Sequence, residues 1–106
     1  MLALEDEQAL DALDDAPKAV IFKHSTQCPV SAGAHREVEA FVRDHPDVPV
    51  YRVLVIEQRP LSDAIALRVG VRHQSPQVLV LRDGRLASHV SHFGVTRDAL
   101  VAATAG

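Results

Sequence analysis

The feature that most restricts what this chain can fold into is a change of hydrophobic period at Pro29. Residues 18–23 (KAVIFK) form a short β-branched and aromatic run that reads as a buried strand. From Pro29 onward, Val30, Ala34, Val38, Phe41 and Val42 fall on one helical stripe, with His35, Arg36, Glu37 and Glu39 on the other faces. Proline is favoured at the first helical position because its missing N–H would be unpaired there anyway. The chain must therefore turn within His24-Ser25-Thr26-Gln27 and deliver Cys28 at or just before a helix N-terminus.

The same two periods alternate along the rest of the chain. Residues 5–14 place Leu4, Ala9, Leu10 and Leu13 at helical spacing among acids, so residues 1–16 read as an N-terminal amphipathic helix ended by Asp15-Ala16-Pro17. Residues 50–56 (VYRVLVI) form a second buried strand, and Leu61, Ala64, Ile65, Arg68 and Val69 outline a helix opened by Pro60 and closed by Gly70. Residues 77–82 and 86–91 are two strands joined at Asp83-Gly84, a dipeptide suited to a tight hairpin. Thr96 then caps a terminal helix containing Arg97, Asp98, Leu100 and Val101. No repeat, low-complexity stretch or long interior break divides the sequence, so one domain over residues 1–106 is expected, its core spanning 17–106. The order is an N-terminal helix followed by β-α-β-α-β-β-α. It implies an α/β protein with a mixed four-stranded sheet flanked by helices, the order of the thioredoxin-like fold.

Composition narrows the function classes. A chain of 106 residues, 47 % hydrophobic, can bury a core without metal or disulfide staples. Its single cysteine allows no intrachain disulfide and no Cys-rich zinc cluster, which favours a reducing cytosol. A net charge of -3, with six acids and no base in residues 1–17, lacks the basic stripe of a nucleic-acid binder. The N-terminus lacks the basic and apolar regions of a secretory signal, and no apolar run approaches the roughly 20 residues of a membrane span. A cytoplasmic protein without nucleic-acid or membrane partners, acting as a monomer, is expected.

Cys28 is the candidate nucleophile. Free cysteine is most often a small buried hydrophobe, but a helix N-terminus presents unpaired N–H groups and the positive end of the macrodipole, which favour thiolate over thiol. Lys23 and His24 could add positive potential. Ser31 stands one helical turn on, where a dithiol site has its second cysteine. Its hydroxyl can hydrogen-bond a thiolate but cannot resolve a mixed disulfide, so the pattern Cys28-Pro29-Val30-Ser31 specifies a monothiol mechanism. Pro76 heads a strand, and Ser75-Pro76 could be a cis bond packed against the cysteine. His89 and His92 would point to opposite faces of a regular strand, and His24 with Cys28 lacks further ligands, so no metal site is expected. His24 and His73 each adjoin a loop expected to meet at Cys28.

Four segments carry a closer resemblance. They are Lys23-His24-Ser25-Thr26-Gln27-Cys28-Pro29-Val30-Ser31, Val55-Ile56-Glu57-Gln58-Arg59-Pro60-Leu61-Ser62, Val71-Arg72-His73-Gln74-Ser75-Pro76-Gln77 and Ser88-His89-Val90-Ser91-His92. Together they resemble the YtxJ-type monothiol bacilliredoxins, or bacilliredoxin C, over roughly residues 17–103. The Thr-Cys-Pro-Ile-Ser core of that family stands here as Gln27-Cys28-Pro29-Val30-Ser31. The resemblance implies a thiol-disulfide oxidoreductase with bacillithiol as thiol co-substrate, no bound cofactor, and S-bacillithiolated client proteins as partners. In that role Cys28, Pro29 and Ser31 form the catalytic motif, while Ser75, Pro76, His24 and His73 lie on the substrate side. Two other readings stay open: a glutathione-linked monothiol glutaredoxin holding an iron–sulfur cluster, and a non-catalytic thioredoxin-like binding module. Pro29 stands where the glutaredoxin pattern Cys-Gly-Phe-Ser has its glycine.

Overall fold

Strand pairing organises the computed structural model, which describes residues 1–106. Strand β2 (Lys18–His24) pairs in parallel with β3 (Val50–Leu54) along one edge and antiparallel with β4 (Gln77–Arg82) along the other. β5 (Arg85–Ser91) continues the sheet beyond β4, and β1 (Leu2–Ala3) lies parallel to β3 at the opposite edge, giving the order β1-β3-β2-β4-β5. Helices α1 (Glu7–Ala12) and α3 (Arg59–Val69) cover one face, and α2 (Pro29–Asp44) and α4 (Arg97–Thr104) cover the other.

The sheet thus has five strands where the sequence predicts four. β1 is invisible to periodicity because two residues cannot show an alternation, and both of its side chains are exposed. Leu4, assigned from its spacing to the N-terminal helix, instead follows this strand, with its N–H donated to Arg52 O at 2.9 Å. The helix expected over 5–14 starts after Asp6, whose carboxylate caps it by accepting from Ala9 N–H at 2.8 Å. It tightens into a 3-10 turn at Leu13–Asp15. The strand expected over 50–56 stops at Leu54 because Gln58 takes over: its Oε1 accepts from Leu54 N–H at 2.9 Å, and its own N–H donates to Leu54 O at 2.8 Å. The Asp83-Gly84 hairpin forms as the sequence predicts, with φ of 53° and 79°.

β2 is buried on both faces, and its side chains alternate between two cores. Ala19 and Ile21 join Leu4, Leu10, Leu13, Leu61 and Ile65 under α1 and α3. Val20 and Phe22 join Ala34, Val38, Phe41 and Leu100 under α2 and α4. The alternation continues into the last two residues, so Lys23 faces the α3 side and His24 the α2 side. On the α3 side, the Arg68 guanidinium pairs with the Asp11 and Asp14 carboxylates, tying α3 to the acidic N-terminal segment. No helix is long and apolar enough to cross a membrane.

Gly84 closes the hairpin against that segment: a Cβ built there would lie 2.7 Å from Asp14 Cα and 2.8 Å from Asp14 O. Gly70, the left-handed cap of α3 with φ 71°, has nothing within 4 Å of the equivalent position. Gly70→Ala is therefore expected to carry only the left-handed penalty of about 1–2 kcal/mol. Gly84→Ala is expected to cost more than this, because it also forces backbone apart. Urea denaturation midpoints of the two variants check the order; equal losses would contradict it.

Candidate active site at Cys28

The turn between β2 and α2 is held by serines. Ser31, fully buried in the first turn of α2, accepts from Ser25 N–H through its Oγ at 3.1 Å. Ser25 Oγ in turn accepts from Gln27 N–H at 3.3 Å, and Cys28 N–H reaches back to Ser25 O at 3.5 Å. Cys28 is the N-cap of α2, extended at φ -112° and ψ 121°, with Pro29 opening the helix. The first intrahelical bond runs from Ala32 N–H to Cys28 O at 3.1 Å. The N–H groups of Val30 and Ser31 precede that bond, and the Cys28 side chain makes no capping bond of its own. A half-buried free thiol thus sits over the positive end of a 16-residue helix.

Ser31 does not hydrogen-bond the sulfur; its oxygen pins the loop that carries the sulfur. Helical spacing alone allows this hydroxyl to meet a thiolate, but the turn geometry supplies a competing donor in Ser25 N–H.

The second wall follows from register. Lys23 pairs with Gln77 at the end of the β2–β4 ladder, so the Ser75–Pro76 loop enters β4 at the end of the sheet where β2 leads into the Cys28 turn. The Ser75–Pro76 bond is cis, and Pro76 O accepts from His92 N–H at 2.9 Å. His92 opens a 3-10 turn, His92–Gly94, with φ 54°, and the next residue, Phe93, is 83 % exposed. The Cys28 turn, the cis-proline loop and the turn after β5 therefore gather at one end of the sheet. His89 remains exposed on β5, apart from His92, and no group of three His, Cys, Asp or Glu side chains could hold a metal ion.

The two flanking histidines separate. His73 lies under α3, where its Nδ1 is 3.2 Å from both Lys23 Nζ and Ser62 Oγ. Burial pushes the His73 imidazole below its usual range, and the adjacent Lys23 charge adds to this. Lys23 is fully buried and also donates to Ser62 O at 3.0 Å. Burial lowers its pKa from 10.5 to about 8, partly offset by Asp63. An ammonium donor at Nδ1 leaves neutral His73 with its proton on Nε2. His24 is on the other face, its ring 5.3 Å from Phe22 and 4.8 Å from His35. Burial, then the charges of His35 and Arg52, push His24 below the usual imidazole range. Neither the Ser62–Lys23–His73 network nor the tilted His24–His35 ring pair is readable from spacing, because both join residues separated in the chain.

The chain is similar to known proteins in family and in fold. The family model described as monothiol bacilliredoxin BrxC matches residues 2–100. A solved thioredoxin-fold protein assigned as an oxidoreductase superposes with a TM-score of 0.87 at 27 % identity, covering 97 % of this chain and 91 % of its own. The thioredoxin of Fasciola hepatica gives a TM-score of 0.72 at 19 % identity, with 94 % and 92 % covered. Mitochondrial thioredoxin 3 of Saccharomyces cerevisiae gives 0.73 at 21 %, with 94 % and 89 % covered. The two thioredoxins speak for the fold alone.

The Lys23 network has a pH signature. A lysine whose folded pKa lies near 8 rather than 10.5 penalises the folded state fully below pH 8, and the penalty fades as pH rises to 10.5. Unfolding free energies of the wild type and Lys23→Met are expected to shift relative to each other by about 3 kcal/mol over that window, in favour of the wild type at high pH. A pH-independent difference would contradict the assignment. Nitrogen shifts of His73 at neutral pH are expected to show the Nε2–H tautomer.

Proposed function

Because this chain belongs to the monothiol bacilliredoxin family, we propose that it is a thiol-disulfide oxidoreductase that removes bacillithiol from S-bacillithiolated client proteins in the cytosol. The observation that carries this reading is the placement of Cys28: a half-buried thiol at the N-cap of α2, engaged in no cap bond, with no second cysteine in the chain. The thiolate attacks the bacillithiol sulfur of the client's mixed disulfide. The client–bacillithiol S–S bond breaks, a new Cys28–bacillithiol S–S bond forms, and the client leaves as a thiolate that takes up a proton from solvent.

Ser31 keeps the sulfur in place through Ser25 and has no thiol with which to attack the Cys28 disulfide. A second bacillithiol, or another low-molecular-weight thiol, must therefore attack it, leaving a small-molecule disulfide and restoring Cys28. The cis-proline loop supports binding of the substrate segment: Ser75 and Pro76 precede β4 at the same end of the sheet as the Cys28 turn. Phe93 supplies an exposed apolar contact on the same rim. Lys23 holds His73 behind this loop, and His24 packs behind the Cys28 turn, so each histidine positions a wall of the site.

The test is release of bacillithiol from a modified client, followed by mass. Cys28→Ser is expected to abolish release. Ser31→Ala is expected to retain it at a reduced rate, since the chemistry persists while a buried Ser25 N–H loses its acceptor, costing about 1–3 kcal/mol of stability. Equal release by the wild type and Cys28→Ser would overturn the proposal.

A further inference from the structure

Beside the Cys28 turn lies an open cleft of about 370 Å³ whose lining includes His24, Thr26, Ala32, His35 and Arg36. At His35 it meets a second cleft of about 400 Å³ whose lining includes Glu39, Arg43 and Arg52. Three guanidiniums and two imidazoles thus line the joined clefts against one carboxylate, Glu39, which is taken by His35 Nδ1 at 3.0 Å. A second carboxylate, Glu57, lies within the field of His24.

Arg36, Arg43 and Arg52 have no carboxylate partner within the chain, as is also true of Arg72, Arg82 and Arg85, but only the first three converge on one concave surface. Arg52 is partly buried on β3, and its Nε, a buried permanent donor, finds no acceptor within the chain. Its guanidinium has no carboxylate partner either, so an anion from outside the chain is what would complete its charge. A guanidinium fork is shaped for a carboxylate, and cations gathered over a cleft focus a potential that attracts one.

Reach decides which carboxylate. The cleft begins at Ala32, one turn after Cys28, and extends along α2 to His35, which the helical rise puts about 10 Å from the N-cap. That is the span of a small thiol with its sulfur at one end and its acid at the other. A protein chain entering along the cis-proline loop approaches from the opposite side of the Cys28 turn, since β4 and β3 flank β2 on different edges.

We infer that the cleft of His24, His35, Arg36 and Arg52 binds the carboxylate end of the low-molecular-weight thiol whose sulfur exchanges with Cys28. The inference rests on the exchange reaction proposed above and adds the surface that selects the small thiol. Its charge comes from elements outside the Cys-Pro-Val-Ser motif: Arg52 from β3, and His35 and Arg36 from the second turn of α2.

The test compares two small disulfides in exchange with Cys28: bacillithiol disulfide, which carries carboxylates, and bis(2-hydroxyethyl) disulfide, which carries none. Arg36→Gln and Arg52→Gln are each expected to slow the first about fivefold or more and to leave the second unchanged. Equal slowing of both disulfides, or no slowing of either, would overturn the inference. Arg36 is exposed, so its variant keeps the test valid if Arg52→Gln folds poorly. A second readout needs no reaction: titration with L-malate is expected to move the ring signals of His24 and His35 in the wild type and not in Arg52→Gln. Unmoved signals in the wild type would count against the cleft. Loss of client release, with the two disulfides still separated by the variants, would remove the client reaction and leave the cleft standing.

Discussion

The structure depends on β2 being hydrogen-bonded along both edges and buried on both faces. A strand held in this way has one register, because a one-residue slip would exchange the residues of its two cores. Its end is fixed for the same reason, and the Cys28 turn is fixed with it. Ser25, the first residue past the strand, then binds Ser31 and Gln27, so the sulfur is tied to the sheet through two short serine links. The antiparallel neighbour pairs Gln77 with Lys23, which brings the Ser75–Pro76 loop to the end of the sheet where the Cys28 turn begins. The site is thus a by-product of sheet register at the place where register is most constrained.

That placement leaves two polar side chains at the end of a buried strand, and the fold answers them differently. Lys23, on the α3 side, receives acceptors from Ser62 and His73, which turns an unfavourable burial into a strut behind the loop that carries Pro76. His24, on the α2 side, is covered by Phe22 and His35 and keeps one nitrogen without a partner. The first arrangement is closed within the chain. The second is open toward the cationic cleft, and so the two histidines flanking the Cys28 region differ in kind although the sequence presents them alike.

Much of this is legible in the sequence. The change of period at Pro29 located the strand, the turn and the N-cap position of Cys28, because proline and amphipathic spacing are local signals that tertiary packing reinforced. Asp83-Gly84 and Gly70 were legible for the same reason: each demands a positive φ that few residues accept. What escaped were interactions whose partners are far apart in the chain. Ser62 meeting Lys23, and the charge of Arg52 acting on His24, depend on which elements become neighbours. Gln58 ended a strand that hydrophobicity alone would have continued through Ile56, since a side-chain amide replaced the next rung of the ladder. β1 escaped for want of length.

That shortest strand has a consequence for how the molecule behaves among its own copies. Without β1, β3 would present a bare edge of N–H and C=O groups beside an apolar sheet, a template on which another chain could add a strand. Leu2 and Ala3 occupy this edge, and Leu4 N–H closes onto Arg52 O, while the new edge they create is only two residues long. Gln58 Nε2 then takes Leu4 O at 2.7 Å, so the chain leaves the sheet before a third rung can form. This edge of the sheet thereby ends in a stub too short to serve as a template, which leaves β5 as the one long edge along which another backbone could add.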